Sequence, residues 1–78
     1  MNSNVSMIGT FRLSRQYLEA LRRKGQWLSI RVIGILAIGE DVSVELIDAV
    51  VAKAEVHGRI QGQQDVVEAI KRKGERIR

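Results

Sequence analysis

The chain has no cysteine and no proline among its 78 residues, and it has one tryptophan, one tyrosine and one phenylalanine. Without cysteine, disulfides, thiolate catalysis and sulfur-ligated zinc are excluded. With so few aromatic side chains, the core must be built from Ile, Leu, Val and Ala. The longest internal stretch without a charge, residues 32–39, is far too short to span a bilayer. We therefore expect no membrane partner and a cytoplasmic location.

Motifs for catalysis or small-molecule binding are equally sparse. Gly34 and Gly39 have the spacing of a phosphate loop, but Glu40 and Asp41 stand where a lysine and a hydroxyl residue should follow. Carboxylates at those positions would repel a phosphate. His57 is the only histidine, and no nucleophile-elbow motif accompanies it. The sequence predicts no enzyme, no cofactor, no metal site and no small-molecule substrate.

Length and composition indicate one small domain. Residues 1–78 contain 45% hydrophobic residues, which is ample for a globular fold. A domain of this size buries only about 60% of the surface that its unfolded chain exposes, so its stability is marginal and self-association is expected. Residues 1–4 are predicted to be a flexible N-terminus.

The net charge of +4 is distributed in three blocks. Residues 12–31 are basic, residues 40–55 are acidic and residues 56–78 are basic again. One interpretation is a cationic surface that binds a polyanion, most often nucleic acid. The other is that the acidic block neutralises the basic ones, within the fold or across an oligomer. The charges alone leave both interpretations open.

A segment of the chain occurs twice. Residues 17–28 recur 49 positions later as residues 66–77, with five identical pairs. These are Glu19 and Glu68, Ala20 and Ala69, Arg23 and Arg72, Lys24 and Lys73, and Gly25 and Gly74. The similarity reflects either a duplication or the shared pattern of an amphipathic helix with a basic end.

Both copies have the start and stop signals of a helix. Ser14 is predicted to cap the first helix, and Asp65 with Glu68 has capping-box spacing in the second. Three consecutive cations precede Gly25 and Gly74, which are expected at the left-handed position after each helix. These two helices are the clearest structural prediction.

The remaining segments are harder to assign. Residues 27–38 are rich in β-branched side chains and suit a buried strand with a bulge or turn at Gly34, with a buried helix as the alternative. A helix is predicted over about 43–55, a short strand over 5–12 and another over 57–61. The fold class predicted is α+β, with two or three helices packed on a short sheet, and all-α is the alternative.

One resemblance is carried by Thr10-Phe-Arg-Leu-Ser14 and the following Tyr17-Leu-Glu-Ala-Leu21. This stretch resembles the opening of ribbon-helix-helix DNA-binding proteins, in which a short strand precedes an amphipathic helix. The resemblance implies a homodimer whose paired strands enter the major groove, with Arg12 at the base-contacting position. The next segment departs from that pattern, because it is apolar and β-branched where a second helix should begin.

Two other resemblances use overlapping residues. Residues 58–65 and the helix after them are similar to the glycine loop of KH-type RNA-binding modules, although Asp65 replaces the second loop glycine. Residues 24–38 are similar to the helix-strand-strand core of gas-vesicle shell proteins. Together, the three resemblances do not identify one family.

The sequence predicts a small basic regulatory protein that binds nucleic acid, with DNA favoured over RNA. Its cationic helix ends are expected to contact phosphates. The candidate contacts are Arg12, Arg22, Arg23, Lys24, Arg31, Lys71, Arg72, Lys73 and Arg76. Arg12 and Arg31 are expected nearer any bases. The alternative is a non-enzymatic assembly or adaptor protein that self-associates through the 27–38 segment. Its candidate interface residues are Trp27, Ile33, Ile35 and Ile38.

Overall fold

The computed structural model describes residues 2–74, which form three β-α units in succession. In chain order the elements are β1 (Asn2–Leu13), α1 (Arg15–Arg23), β2 (Trp27–Ile38), α2 (Val44–Val50), β3 (Val51–Gln61) and α3 (Gln64–Gly74). The strands form one parallel sheet in the order β1-β2-β3. The predicted α+β class is confirmed, and the all-α alternative is wrong.

The strand register accounts for the segment that occurs twice. Val5 pairs with Ile30, 25 positions later, and Ile30 pairs with Ala54, a further 24 positions along the chain. The two steps together give the 49-residue spacing of the repeated segment. The helices α1 and α3 therefore occupy equivalent places in the first and third units.

The predicted ends of α1 are confirmed. The Ser14 side chain accepts a hydrogen bond of 3.2 Å from the backbone N–H of Tyr17. At the other end, Gly25 has φ +68° and donates to the Arg22 carbonyl, while Gln26 donates to the Leu21 carbonyl. This pair of bonds is the Schellman motif, which satisfies the last carbonyls of a helix.

The predicted ends of α3 are wrong in detail. The helix begins at Gln64, and Asp65 accepts a 2.7 Å bond from the adjacent Val66 N–H instead of capping from outside the helix. Gly74 remains inside α3 and is not among the glycines with positive φ. A side chain there would collide with the Ala54 carbonyl oxygen, so close packing rather than left-handed geometry explains this glycine.

The predicted C-terminal end of the middle helix, α2, is wrong. Ser43 caps α2 as predicted, with a 3.1 Å bond from the Leu46 N–H, but α2 ends at Val50. Residues 51–55 were predicted to be helical, and instead they begin β3, because pairing with β2 satisfies their backbone groups. The predicted strand over 57–61 is confirmed as the second half of β3.

At the N-terminus, β1 contains the predicted strand 5–12 and is longer than expected. Residues 2–4 were predicted to be flexible, but they continue the ladder with β2, and the Ser3 hydroxyl bonds to the Gln26 side chain at 3.2 Å. Met1 lies outside the described residues.

The strand prediction for residues 27–38 is confirmed, since β2 spans Trp27–Ile38 without interruption. A single strand here disagrees with the strand-strand core of the gas-vesicle resemblance. The KH resemblance also fails, because Gly58 lies within β3 rather than in a loop. The predicted irregularity at Gly34 takes the form of a φ of +135° inside the continuous strand.

All three helices cover the same face of the sheet. Along β2 the buried and more accessible positions alternate, as expected for a sheet with one covered face. The buried side chains of the strands and helices form one aliphatic cluster. Its members are Leu13, Leu18, Leu21, Leu28, Ile30, Val32, Leu36, Ile38, Val42, Leu46, Ile47, Val50, Val51, Ala54, Val66, Ala69 and Ile70. The opposite side of the sheet, which we call the open face, has no helix on it.

Candidate nucleic-acid interface

The open face presents alternate side chains of all three strands. Because the strands are parallel and in register, these side chains form rows that cross the sheet from β1 to β3. The five rows are Asn4, Ser29 and Lys53; Ser6, Arg31 and Glu55; Ile8, Ile33 and His57; Thr10, Ile35 and Arg59; and Arg12, Ala37 and Gln61. Every strand thus contributes at least one cation to this surface.

The charges on the open face are mostly positive. Arg12, Arg31, Lys53 and Arg59 are exposed there, against the carboxylate of Glu55. A 3.2 Å contact with the His57 ring, together with the charge of Arg31, holds the pKa of Glu55 below its ordinary value. The Glu55 carboxylate offsets part of the positive charge around it.

Three isoleucines lie in the middle of the open face. Ile8 is 82% exposed and Ile33 is 46% exposed, while Ile35 is half-buried. Single exposed aliphatic side chains are ordinary, but exposed apolar side chains that cluster mark binding surfaces. Cations flank this apolar centre at both ends of the strands, so the open face combines apolar and electrostatic contacts.

The two cationic helix ends lie at the same end of the sheet, where β2 and β3 begin. The chain turns from α1 directly into the start of β2, and the end of α3 approaches the Ala54 carbonyl near the start of β3. Between them lies α2, which packs against both helices. Its Asp48 carboxylate is 3.6 Å from the Lys73 ammonium. Part of the cationic end of α3 is therefore neutralised within the fold, as the second charge interpretation expects.

The predicted nucleic-acid contacts fall into two groups. Arg12 and Arg31 lie on the open face, whereas the other described candidates lie at the helix ends. Those are Arg22, Arg23, Lys24, Lys71 and Arg72, all exposed, and the half-buried Lys73. Arg76 lies outside the described residues. Lys53 and Arg59 join the first group, and Lys53 was missed because residues 43–55 were predicted to be one helix.

The predicted interface residues are also separated. Trp27 is 58% exposed at the start of β2, and Ile33 and Ile35 lie on the open face. Ile38 is only 7% exposed and packs in the core, so its assignment to an interface is corrected. Its position in the strand alternation, facing the helices, is the reason.

Other kinds of site find no support in the part of the chain that the structure describes. Residues 2–74 contain no group of three or more His, Asp or Glu side chains that could hold a metal ion. Within the same residues, no helix has both the length and the apolar character needed to cross a membrane.

The fold is a small three-stranded parallel sheet with helices on one face, and its open face presents cations around an apolar centre. A model of the Ribbon-Helix-Helix transcriptional regulator family matches residues 1–67, which is most of the chain. The chain belongs to this family, and it is a DNA-binding regulator rather than an enzyme. Proteins of the family typically form homodimers. Comparison with curated proteins gave no match, and comparison with solved structures gave none.

The resemblance of residues 10–21 to this family is thereby confirmed, and so is the departure noted after it. β1 and α1 provide a strand followed by a helix, but β2 comes before the next helix, α2. The β-branched residues of 27–38 are the signal for this extra strand, because they suit a pleated, half-buried surface.

Proposed function

We propose that the open face is the DNA-contacting surface, with Arg12 and Arg31 toward the base edges. The observation that carries the proposal is the projection of both arginines from the open face of adjacent strands. Arginine is the side chain that most often reads a base, through paired hydrogen bonds to guanine. Because the family binds DNA, DNA is the expected partner in preference to RNA.

The exposed cations at the ends of α1 and α3 are assigned to phosphates. Both helix ends lie where β2 and β3 begin, so a DNA backbone that crosses this end of the sheet would reach them from the open face. Phosphate contacts give affinity and orientation without reading sequence. Lys73 contributes less than its neighbours, because Asp48 already lies beside it.

The homodimer is assigned to the outer edge of β1. In the sheet order β1 has a neighbour on one side only, so its other edge can pair with β1 of a second copy. Such a pairing would join two open faces into one surface with two copies of Arg12. A regulator of this kind works where the DNA is, which agrees with the expected cytoplasmic location.

A titration of labelled duplex DNA at rising salt tests this function. We expect affinity to fall steeply with salt. The variant Arg12→Ala/Arg31→Ala should lose about 1–3 kcal/mol of binding free energy per arginine and discriminate less between base sequences, with little change in the salt slope, because these arginines are assigned to bases and not to phosphates. Arg15→Ala is the control, since Arg15 is the first residue of α1, at the opposite end of that helix from the cations assigned to phosphates, and its guanidinium already pairs with Glu19 at 2.9 Å. Absence of binding at low salt would sink the proposal, and equal losses in both variants would move the contact surface away from the open face.

The second candidate function is self-association as an adaptor, and the exposure of Trp27 and Ile33 favours it. β2 is the central strand, so only these exposed side chains, and not its backbone edge, are available to a partner. Size-exclusion chromatography of Trp27→Asp and Ile33→Asp would show dissociation if the segment holds an oligomer together. An unchanged elution volume in both variants would exclude this role.

A further inference from the structure

At the outer edge of β3, where no further strand follows within residues 2–74, side chains of the core are partly exposed. The side chains of Val32 and Leu36 on β2 are fully buried, because strands flank them on both sides. Val56 and Ile60 take the equivalent positions on β3 and are only half-buried. We call this end, formed by the outer edge of β3, Val56, Ile60 and the adjacent side of α3, the β3 end.

The β3 end has charged side chains on its strand but lacks the other usual protections of a terminal unit. Proteins built from stacked units normally close their ends with polar side chains, and exposed strands are normally short or interrupted by proline. β3 is 11 residues long and contains no proline, and a groove lined by Val56, Lys71 and Gly74 runs between it and α3. Such an edge can pair with another strand of matching pattern.

We propose that the β3 end is a two-fold self-association surface, at which β3 pairs antiparallel with β3 of a second copy. The charges of the strand are arranged for this pairing. Glu55 and Arg59 lie on the same face of β3, two positions on either side of His57. In an antiparallel pair centred on His57, each Glu55 stands opposite Arg59 of the second copy, and opposite charges at facing positions stabilise a sheet.

Head-to-tail stacking of a second copy on the β3 end is disfavoured by charge. Continuing the parallel stack would put α1 of the next copy beside α3, with three cations at the same end of each helix. Within one chain, α2 and its Asp48 separate these two helices. The two-fold arrangement avoids the repulsion, because it runs the two α3 helices in opposite directions.

This surface is separate from the β1 edge assigned to the family homodimer, and it does not require DNA. A chain that used both edges would form dimers of dimers. The inference therefore stands or falls independently of the open face as a DNA-binding surface.

A charge exchange in trans, measured by sedimentation equilibrium without DNA, tests the proposal. Glu55→Arg and Arg59→Glu should each weaken association at the β3 end on the order of tenfold, because each creates two like-charged pairs in the symmetric assembly. Mixing the two variants should restore association, since both facing pairs are then complementary. The double variant Glu55→Arg/Arg59→Glu should behave like the unchanged chain.

Glu40→Arg and Arg22→Glu are the matched controls, because they make the same charge changes away from β3 and should leave this association unchanged. Circular dichroism would establish that every variant is folded. A mixture that associates no more tightly than either single variant would overturn the proposal. So would single variants that associate as tightly as the unchanged chain.

A cross-link provides a second test that does not depend on charge. Because the chain has no cysteine, His57→Cys introduces the only thiol. Facing positions of an antiparallel pair have Cβ atoms about 4.5–5.5 Å apart, so a short bifunctional thiol reagent should yield a cross-linked dimer. Gln16→Cys, an exposed position on α1, should remain unlinked under the same conditions. Equal cross-linking of both variants, or none of His57→Cys, would contradict the two-fold pairing.

Discussion

The two faces of the sheet are made from the same strands, yet one presents buried aliphatic side chains and the other presents accessible charged and apolar ones. Toward the helices, β2 presents Leu28, Val32 and Leu36, all fully buried. Toward solvent it presents Arg31, Ile33 and Ile35 from the positions in between. The comparison teaches that strand alternation alone can separate the residues that hold the fold from those to which we assign partner contacts. Substitutions on the two faces should therefore separate loss of stability from loss of binding.

The largest expected effect concerns three glycines, one on each strand, which form a single row across the sheet. Gly9, Gly34 and Gly58 pair in register with φ values of +121°, +135° and +144°. A Cβ on Gly34 would collide with the Gly9 carbonyl oxygen, whereas a Cβ on Gly9 meets nothing within 4 Å. Gly34→Ala should lower the free energy of unfolding by more than about 3 kcal/mol, and Gly9→Ala by about 1–2 kcal/mol. Urea denaturation measures both, and equal losses would show that close packing of the row is unimportant.

The next effect contrasts the two faces directly. Leu36→Ala removes a fully buried side chain and should lower the free energy of unfolding by about 2–5 kcal/mol. Ile33→Ala shortens a side chain that is 46% exposed on the open face and should lower it by less than about 1 kcal/mol. Thermal and urea unfolding would measure both changes. A larger loss for Ile33→Ala would mean that the open face is covered in solution.

A smaller effect is expected at the start of α1. Ser14→Ala removes the hydroxyl that accepts the Tyr17 N–H, and it should lower the free energy of unfolding by about 1 kcal/mol. Ser29→Ala, a serine on the open face, is the control and should change the value by less than about 0.5 kcal/mol. If both variants unfold alike, the Ser14 cap contributes nothing to stability.

The smallest effect concerns an exposed ion pair on α1. The Arg15 side chain donates a 2.9 Å hydrogen bond to Glu19, and this bond and the charge of Arg15 hold the pKa of Glu19 below its ordinary value. A carboxyl group with a lowered pKa stabilises the fold above its unfolded-state pKa, and this contribution disappears as pH falls through its folded-state pKa. An NMR titration should give a higher Glu19 pKa in Arg15→Gln than in the unchanged chain. An unchanged pKa would show that the pair does not form in solution.

Much of this arrangement is predictable from local sequence. Ser14, Gly25 and the β-branched residues of 27–38 mark a helix start, a helix end and a strand, because each acts through its own backbone or its immediate neighbours. The 49-residue spacing of the repeat equals the sum of two register steps in the sheet. Sequence alone does not explain this spacing. The structure explains it, because β2 lies between the two equivalent strands and divides the spacing into steps of 25 and 24 residues.

What local sequence does not predict is set by pairing between distant residues. The pattern of residues 51–55 suits a helix face as well as a strand, and only the ladder with β2 decides between them. The open face has the same origin, since Arg12, Arg31 and Arg59 are far apart in the chain and share one face only because three strands are parallel and in register. Lys53 could not be assigned to this surface while its segment was interpreted as a helix.

The most direct test of the central claim uses isoleucine side chains, which are present on both faces. Ile8, Ile33 and Ile35 lie on the open face, whereas Ile30 of β2, Ile47 of α2 and Ile70 of α3 are buried in the core between the sheet and the helices. In NMR spectra of the chain with labelled isoleucine methyl groups, duplex DNA should shift the first three signals and leave the second three nearly unchanged. Shifts confined to the buried set, or spread equally over both, would contradict the assignment of DNA binding to the open face.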